Sequence, residues 1–382
     1  MCGIGGFSSS QAAYTQEPGR WQEILESMNR VQKKRGPDEE GIFLEKKCGL
    51  AHVRLSIIDL ERGRQPMTRR AGGTTCTIAY NGEIYNMKAL QKDLKRQGVL
   101  FTTDSDTEVI LQGYLTEGES FIKKLNGIFA IAIWDQKEEA LYLFRDRAGV
   151  KPLFYTIQGD TLIFSSEIKG LFQYPGVEAV ADRDSLCEIF ALGPAKSYGK
   201  GVFRNILEVE GGSRLLWKDG RLKTEKYWQL QSRPHEDSFE ETVEKTSWLV
   251  EDAVKLQMLS DIPICTFLSG GVDSSLVTAI CARELKKQGK VLHTFSFDFQ
   301  GNDRYFKANS FQPSQDRPWV EKMVEYSGTS HHFLTCGNQE MIDCLYKAVD
   351  ARDLPCMADV ESSMLYFCSL VAEHNKVTLT GE

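Results

Sequence analysis

The sequence predicts two domains of different fold class: an α+β domain in the first half of the chain and an α/β domain with a parallel sheet in the second. In the first half, short apolar segments follow one another across polar turns, which is typical of antiparallel strands. In the second half, apolar segments of strand length alternate with helical stretches, which is typical of a doubly wound sheet. The length of 382 residues suits two or three domains at roughly 150 residues each.

Composition narrows the class of protein and its compartment. The net charge of −7 argues against a nucleic-acid partner and against an anionic membrane surface. No apolar run is long enough to span a bilayer, and the N-terminus lacks the features of a signal peptide. Ten cysteines occur without a Cys-x-x-Cys pair, which indicates free thiols in a reducing cytoplasm.

The first seven residues, MCGIGGF, contain the first candidate for chemistry. If Met1 is removed, Cys2 carries both a thiol and a free α-amine. The amine titrates near pH ~7.7–8.0 and can act as a base, while the thiolate is the nucleophile. A nucleophile beside its own base is the arrangement of N-terminal-nucleophile enzymes. The plain alternative is a cysteine that happens to lie near a frayed terminus.

The other elements of the first half are predicted from the spacing of apolar residues. Helices are predicted at 21–31, 87–97 and 107–115, with residues 103–106 as caps for the last of them. Strands are predicted at 4–7, 41–44, 49–58, 75–80, 125–134, 140–145, 153–155 and 162–165, and the last two form a hairpin.

Asn81 and Gly82 directly follow a predicted strand and have two interpretations. By turn chemistry alone, Asn-Gly predicts a tight hairpin turn. The functional alternative is that the Asn81 side-chain amide and the Gly82 N–H both point at a developing oxyanion. The local sequence leaves both open.

Eight segments occur in an order and spacing that resemble a known family: MCGIGGF, RGPDEEG, HVRLSIID, NGEIYN, SDTEVIL, LNGIFAIAIWD, FRDRAGVKPLFY and FSSEIK. Together they resemble the class II glutamine amidotransferase domain over residues 2–205. The resemblance implies a four-layer αββα N-terminal-nucleophile hydrolase, with two stacked sheets between helix layers. It also implies that Cys2 attacks the side-chain amide of glutamine and that Asn81 and Gly82 form the oxyanion hole.

The same resemblance implies a partner for each remaining polar end of glutamine. Arg54 would pair with the α-carboxylate, because a planar guanidinium can donate two parallel hydrogen bonds to a planar carboxylate. Glu83 and Asp106 would hold the ammonium. The pocket around Arg54 would be lined by Leu55, Ser56, Ile57 and Ile58.

Residues 206–238 are predicted to be a linker, because they combine glycines, charged turns and a polar stretch around Pro234. Within them, 213–217 is strand-like and 218–220 is predicted to be a turn. The second domain is predicted at 239–382. Its helices are predicted from 239 onward and at 276–287, 318–326, 339–349 and 360–374, and its strands at 262–268, 291–299, 331–335 and 377–380.

The segment 269–275, SGGVDSS, lies between a predicted strand and a predicted helix. Such a loop can place backbone N–H groups and a helix N-terminus around an anion, although a plain strand-to-helix turn uses the same residues. It is neither a Walker loop nor a GxGxxG motif. It is similar to the pyrophosphate loop of N-type ATP pyrophosphatases, which implies ATP as a ligand and Asp273 as a Mg²⁺ contact.

The pairing of the two halves resembles the glutamine-dependent asparagine synthetases. The resemblance implies a cytoplasmic ligase of asparagine biosynthesis with glutamine, aspartate and ATP as substrates. Ammonia released at Cys2 would pass to an aspartyl-adenylate and give asparagine, AMP and pyrophosphate. Glu382 would steer or deprotonate the ammonia. The residues that would bind ATP are Leu268, Ser269, Gly270, Gly271, Asp273, Ser274, Phe297, Thr380 and Gly381.

Two features depart from that family. The chain ends at Glu382, inside the loop that would close on ATP, so a truncated synthetase half is expected. The segment 300–317 is longer and more polar than the family's connection, which weakens the choice of aspartate as the acid. A glutaminase-only fragment and the amidation of another carboxylate by a related ATP-dependent amidotransferase therefore remain as alternatives. The oligomeric state, a homodimer included, stays open.

Overall fold

A computed structural model describes residues 1–310 and 313–381. The chain forms two compact units, Met1–Ser232 and Arg233–Glu382, here called unit 1 and unit 2. Among the residues so described, none of the helices combines the length and the apolar character needed to cross a membrane.

Unit 1 is built on two six-stranded antiparallel sheets. The strands are β1 (Gly3–Ser9), β2 (Glu39–Leu44), β3 (Cys48–Arg54), β4 (Met67–Ala71), β5 (Thr74–Ile84), β6 (Gly127–Asp135), β7 (Ala140–Arg145), β8 (Phe154–Gln158), β9 (Thr161–Ser165), β10 (Leu207–Glu208), β11 (Ser213–Lys218) and β12 (Arg221–Lys226). The first sheet has the strand order β10-β8-β9-β1-β3-β2, and the second has the order β12-β11-β7-β6-β5-β4.

The helices of unit 1 are α1 (Pro18–Val31), α2 (Met87–Arg96), α3 (Asp106–Glu117), α4 (Ile168–Leu171) and α5 (Arg183–Leu192), with short 3-10 helices at Tyr14–Gln16 and Gly118–Lys124. Helix α1 packs on β1, β2 and β3, and α3 packs on β4 and β5. Between the sheets lies a core to which the first sheet contributes Ile4 and Leu50 and the second Ala132 and Leu143. The predicted αββα layering is therefore confirmed.

Most predicted strands and helices of unit 1 are confirmed, but two predictions fail near the candidate site. The strand predicted at 49–58 ends at Arg54. The chain leaves the sheet there because the carbonyls of Ile58, Asp59 and Leu60 turn back to accept hydrogen bonds from the Arg54 guanidinium.

Of the two interpretations of Asn81 and Gly82, the hairpin turn is wrong. Strand β5 continues through both residues to Ile84, and they pair with Ala130 and Phe129 of β6. The turn preference of Asn-Gly is local, whereas an extended ladder with β6 fixes the backbone of β5 on one side. Glycine is required at 82 for another reason: a Cβ there would lie 2.2 Å from the Ile128 carbonyl oxygen.

Residues 206–238, predicted as a linker, contain three strands of unit 1. Strand β10 pairs with β8, and β11 lies between β7 and β12. Leu215 and Trp217 of β11 are buried in the core between the sheets. The glycines and the Lys-Asp-Gly turn that suggested a linker are the connections of these strands, and only residues 227–238 lack regular structure before the next helix.

The described part of unit 2 contains four strands, β13 (Ile264–Phe267), β14 (His293–Phe299), β15 (Ser330–Cys336) and β16 (Val377–Leu379). They form a parallel sheet in the order β15-β14-β13-β16. The helices of the unit are α6 (Phe239–Gln257), α7 (Val272–Lys287), α8 (Asn302–Tyr305), α9 (Arg317–Ser327), α10 (Asn338–Arg352) and α11 (Ala358–Ala372). These elements confirm the predicted alternation of strands and helices.

Helices lie on both faces of this sheet. On one face, Val254 of α6 and Ile280 of α7 pack against Ile264. On the other, Val371 of α11 packs against Cys265 and its neighbour on β14. Since successive residues of a strand point to opposite faces, Ile264 and Cys265 mark the two sides of a doubly wound sheet. The carboxyl ends of β13 and β16 therefore lie side by side, where such sheets bind ligands.

Candidate active site

Cys2 lies directly before β1, next to the point where β3 ends. The Leu55 N–H donates to the Cys2 Sγ at 3.4 Å, and the thiol donates to the Leu55 carbonyl at 3.8 Å. The Arg35 Nε donates to the Cys2 carbonyl at 3.0 Å. Burial raises the pKa of the Cys2 thiol. The sulfur therefore keeps its proton at neutral pH and needs a base before it can act as a nucleophile.

Cys2 borders a small cavity of about 50 Å³. The predicted glutamine-site residues meet there, with one exception. Ser56 does not line the cavity in the described part of the chain, and its N–H donates to the Asp38 carboxylate at 2.8 Å. The lining consists of Met1, Cys2, Arg54, Leu55, Ile57, Ile58, Gly63, Gln65, Tyr80, Asn81, Gly82, Glu83, Ser105, Asp106, Thr107 and Lys151.

Asn81 is the buried amide of this cavity. Its side chain is 1% exposed, and its Nδ2 has no hydrogen-bond partner among the described residues. A buried donor without a partner costs about 1–3 kcal/mol, so buried groups of this kind are nearly always paired. An orphan donor on the wall of a cavity that also contains a nucleophile indicates a ligand oxygen as the missing partner.

Two carboxylates lie on another wall of the cavity. Asp106 is the first residue of α3, whose N-cap is Ser105. The Asp106 carboxylate accepts from the Tyr80 hydroxyl at 2.7 Å and from the Ile84 N–H at 3.3 Å. Burial raises the pKa of Asp106, and burial also raises that of Glu83, although the Lys151 ammonium opposes the second shift. Two buried acids with raised pKa values are suited to a cationic ligand, which would restore their charged forms.

Arg54 reaches the cavity, but its guanidinium is already engaged. Its Nη1 donates to Glu39 at 2.7 Å and to the Leu60 carbonyl at 3.2 Å. Its Nη2 donates to the carbonyls of Ile58 at 3.2 Å and Asp59 at 2.6 Å. A bound carboxylate would have to share these donors. The predicted pairing of Arg54 with a substrate carboxylate remains a prediction.

Sequence reasoning missed several residues of the cavity. Tyr80 and Gln65 are linked to each other, since the Tyr80 N–H donates to the Gln65 side chain at 2.7 Å. Lys151 projects into the cavity from the loop after β7. Its segment, FRDRAGVKPLFY, had been recognised as a family motif. Nothing in the local pattern indicated that it lies beside Cys2, more than a hundred residues away.

Unit 2 has a separate cavity of about 340 Å³ at the carboxyl end of its sheet. Of the residues predicted to bind ATP, the lining includes Leu268, Ser269, Gly271, Asp273, Ser274, Phe297, Thr380 and Gly381. Gly270 contributes to the loop through its backbone, with a φ of +79°. Glu382 lies outside the described residues.

The loop from Ser269 to Ser274 is held by its own hydroxyls. The Ser269 N–H donates to the Ser274 Oγ at 3.2 Å, and the two hydroxyls are 3.0 Å apart. Helix α7 begins at Val272, four residues earlier than predicted, so its first N–H groups border the loop. Gly381 packs so closely that a Cβ would lie 2.5 Å from the Ser274 nitrogen. A narrow loop at a helix N-terminus suits an anion such as a phosphate.

The segment 300–317 supplies a wall of this cavity that was not predicted, with Asn302, Asp303, Gln315, Asp316 and Arg317. The Arg317 guanidinium lies 4.3 Å from the centre of the Phe333 ring. Within the described residues there is no group of three or more His, Cys, Asp or Glu side chains that could hold a metal ion.

Known proteins match both units. Residues 1–228 match the family model of the glutamine amidotransferase domain, and residues 245–382 match that of asparagine synthase. The chain is 44% identical to a glutamine-hydrolysing asparagine synthetase of Bacillus subtilis, over 100% of this chain and 62% of that protein. It is 34% identical to a candidate asparagine synthetase of Methanocaldococcus jannaschii, over 90% of this chain and 67% of that protein. A further Bacillus subtilis asparagine synthetase is 33% identical, over 100% of this chain and 57% of that protein.

Proposed function

The chain belongs to the glutamine-hydrolysing asparagine synthetase family, and we propose that unit 1 hydrolyses glutamine and that the ammonia amidates aspartate after its activation with ATP on unit 2. The chain spans 62% of the length of its Bacillus subtilis relative. The observation that carries the glutaminase proposal is the orphan Nδ2 of Asn81, which lines the same cavity as Cys2.

The reaction begins with removal of Met1, which frees the α-amine of Cys2. The amine takes the thiol proton while the sulfur attacks the side-chain carbonyl carbon of glutamine. The electron pair of the C=O bond moves to the oxygen, and this oxyanion accepts hydrogen bonds from the Asn81 Nδ2 and the Gly82 N–H. Donors of this kind are worth about 10²–10³ in kcat each.

Two further steps return the enzyme to its starting state. The C–N bond breaks, the leaving nitrogen takes the proton from the α-ammonium, and ammonia departs from a thioester on Cys2. Water then attacks the thioester carbonyl and gives up a proton to the α-amine. The C–S bond breaks, glutamate leaves, and the proton returns to the sulfur.

The two carboxylates and Arg54 select glutamine by its backbone groups. Glu83 and Asp106 bind the α-ammonium, whose charge favours the ionised forms of both acids. Arg54 binds the α-carboxylate with donors that it shares with Glu39 and the 58–60 carbonyls. Glutamine lacking either group would leave a buried charge without its partner, which is a strong basis for selection.

The loop of unit 2 fits a nucleotide. Ser269, Gly271 and Ser274 would hold the phosphates, and Leu268 and Phe297 would contact the adenosine. Asp273 would bind Mg²⁺ together with phosphate oxygens and water, since Mg²⁺ is usually held by one or two carboxylates and substrate phosphates. ATP would supply the activation of the acid that ammonia attacks.

Glutamate release from glutamine tests the first half of the proposal. Cys2→Ala is expected to reduce the rate to background, because no other group in the cavity can form the thioester. Cys187→Ala is the matched control, since Cys187 is an exposed cysteine on α5 outside the cavity. A residue added before Met1, which blocks its removal, is expected to act like Cys2→Ala. An undiminished rate in Cys2→Ala would eliminate the assigned nucleophile.

Pyrophosphate release in the presence of ATP, Mg²⁺ and ammonia tests the second half. Release that depends on aspartate and accompanies asparagine formation supports the proposal. Release that depends on another carboxylic acid instead favours a related amidotransferase. Glutamine hydrolysis without pyrophosphate from any acid favours a chain that acts as a glutaminase alone.

A further inference from the structure

Lys151 is a buried cation in the glutamine cavity without a role in the reaction described so far. Its side chain is 5% exposed and lines the cavity together with Cys2 and Glu83. Its Nζ donates to the Met1 Sδ at 2.8 Å. A thioether is a weak acceptor, and burying an ammonium is costly unless the charge is well paired. Burial lowers the pKa of Lys151, and the charge of Glu83 opposes this shift, so Glu83 is a remaining counter-charge of Lys151 once Met1 and its thioether are removed.

The backbone at Lys151 is held firmly in place by two other buried charges. The Lys151 N–H donates to the Asp146 carboxylate at 3.0 Å, and the Arg145 Nε donates to the Lys151 carbonyl at 2.8 Å. Arg145 also donates to the Gly149 carbonyl at 2.6 Å, which closes the loop. Asp146 and Arg145 are 1% and 6% exposed. The backbone from which the Lys151 side chain extends into the cavity is therefore fixed by the fold of the loop.

Three charged side chains from different elements act on the Met1 amine: Arg35 follows α1, Glu83 lies on β5, and Lys151 follows β7. Asp106, at the start of α3, lines the same cavity. Burial, followed by the charges of Arg35 and Lys151, lowers the pKa of the Met1 amine to about 6, although the charges of Cys2 and Glu83 oppose this shift. A cation beside an amine disfavours its protonated form.

We propose that Lys151 is a positioning residue of the glutaminase site: after Met1 is removed, its ammonium lies beside the α-amine of Cys2 and keeps that amine free of a second charge, ready to accept the thiol proton. The inference rests on the proposed function, in which this amine is the base. Lys151 acts through the amine and makes no bond to the reacting amide.

Lys151→Met and Lys151→Arg separate charge from size. Methionine has a similar length without the charge, and arginine keeps the charge. In Lys151→Met, the acid limb of the kcat/KM profile for glutamine hydrolysis is expected to move up by about one pH unit, the low end of the shift caused by one nearby charge. That shift is a loss of about tenfold at pH values below the limb. In Lys151→Arg, the limb is expected to stay where it is in the unmodified chain.

A second readout does not depend on activity. Competitive acetylation with acetic anhydride, followed by mass spectrometry of the N-terminal peptide, gives the titration of the Cys2 amine in each processed chain. The amine of the native chain is expected to titrate below the value of about 7.7–8.0 found in unfolded chains, and that of Lys151→Met closer to it. The masses also verify that Met1 is absent.

The two readouts distinguish failure of this inference from failure of the proposed function. Identical amine titrations in the native chain and in Lys151→Met would overturn the inference, even if glutamine is hydrolysed. A native chain that does not hydrolyse glutamine would overturn the proposed function, while the acetylation result would still decide what Lys151 does to the amine. If Lys151→Met does not fold, a native amine that titrates as in the unfolded chain is sufficient to refute the inference.

Discussion

Replacing Asn81 by alanine is expected to reduce activity without reducing stability. The Asn81 side chain is 1% exposed and its Nδ2 has no described partner. Loss of an oxyanion donor lowers kcat by about 10²–10³, or about 2.7–4 kcal/mol of transition-state stabilisation. Removing the same orphan donor relieves a desolvation penalty of about 1–3 kcal/mol, which offsets the packing lost with the amide. The free energy of unfolding is therefore expected to stay within about 1 kcal/mol of the original value.

Asn29 provides a matched control with the opposite expected outcome. It is also a buried asparagine, 3% exposed, but its Nδ2 donates to the Gly41 carbonyl at 3.1 Å. Asn29→Ala removes that buried hydrogen bond and the packing of the amide, at a cost of about 1–3 kcal/mol. In a unit of this size the loss corresponds to a decrease of roughly 2–10 °C in the unfolding temperature. Its kcat is expected to be unchanged, since Asn29 lies on α1 and does not line the cavity.

Glutamate release and thermal unfolding, measured on Asn81→Ala and Asn29→Ala, test the oxyanion role of Asn81 and the orphan state of its Nδ2. A kcat within about threefold of the original in Asn81→Ala would refute the oxyanion role, because a donor to the transition state is worth far more. A decrease in unfolding temperature as large as that of Asn29→Ala would refute the orphan state of Nδ2. The comparison of kcat values can be interpreted only if Cys2→Ala abolishes the reaction.

Two further predictions concern a buried carboxylate in unit 1 and the loop of unit 2. Burial is the largest single influence on the pKa of Glu108 and raises it, but the hydrogen bonds from Arg69 and Thr103 together outweigh burial and lower this pKa. Ionised Glu108 therefore stabilises the fold above its unfolded-state pKa near 4.3, and this stabilisation is lost as the pH falls through its folded-state pKa. Glu108→Gln is expected to reduce the free energy of unfolding by about 1–3 kcal/mol at pH 7, and by less at pH 3, in urea titrations; an equal loss at both pH values would contradict this. Gly381→Ala places a Cβ 2.5 Å from the Ser274 nitrogen, and is expected to weaken ATP binding about tenfold, because overpacking costs about 1–3 kcal/mol; calorimetry should show no change in Gly19→Ala, where the added Cβ meets open space.

The fold could be predicted from the sequence wherever periodicity was strong, and the errors lie where long-range pairing decides the structure. Asn81 and Gly82 form a turn in most local contexts, but β6 holds them in an extended strand. Residues 207–226 look like a linker because their turns are short and polar, yet Trp217 is buried between the sheets. In both cases one deciding partner strand is far away in the sequence: β6 for Asn81 and Gly82, and β7 for β11.

The candidate site shows the same division. Cys2, Asn81, Glu83 and Asp106 could be selected because each stands in a segment that resembles a family motif. Lys151 could not be selected for this cavity, because its place beside the N-terminus depends on how Asp146 and Arg145 fold their loop. The resemblance also implies Ser56 as a pocket residue, but strand β3 ends at Arg54 and the Ser56 N–H donates to the Asp38 carboxylate instead.

Burial acts in opposite directions on the Cys2 thiol and on the N-terminal amine of the unprocessed chain. It raises the pKa of the Cys2 thiol and lowers that of the Met1 amine to about 6, and burial of the Cys2 amine after removal of Met1 would act in the same direction as on Met1. Both shifts favour the neutral pair of thiol and amine over the charged pair of thiolate and ammonium. The resting site therefore holds little thiolate, and separation of charge is favourable only when the new negative charge can move to the amide oxygen. In the proposed reaction, the Asn81 Nδ2, which has no partner among the described residues, would stabilise that charge, so Cys2 would react only when glutamine is bound.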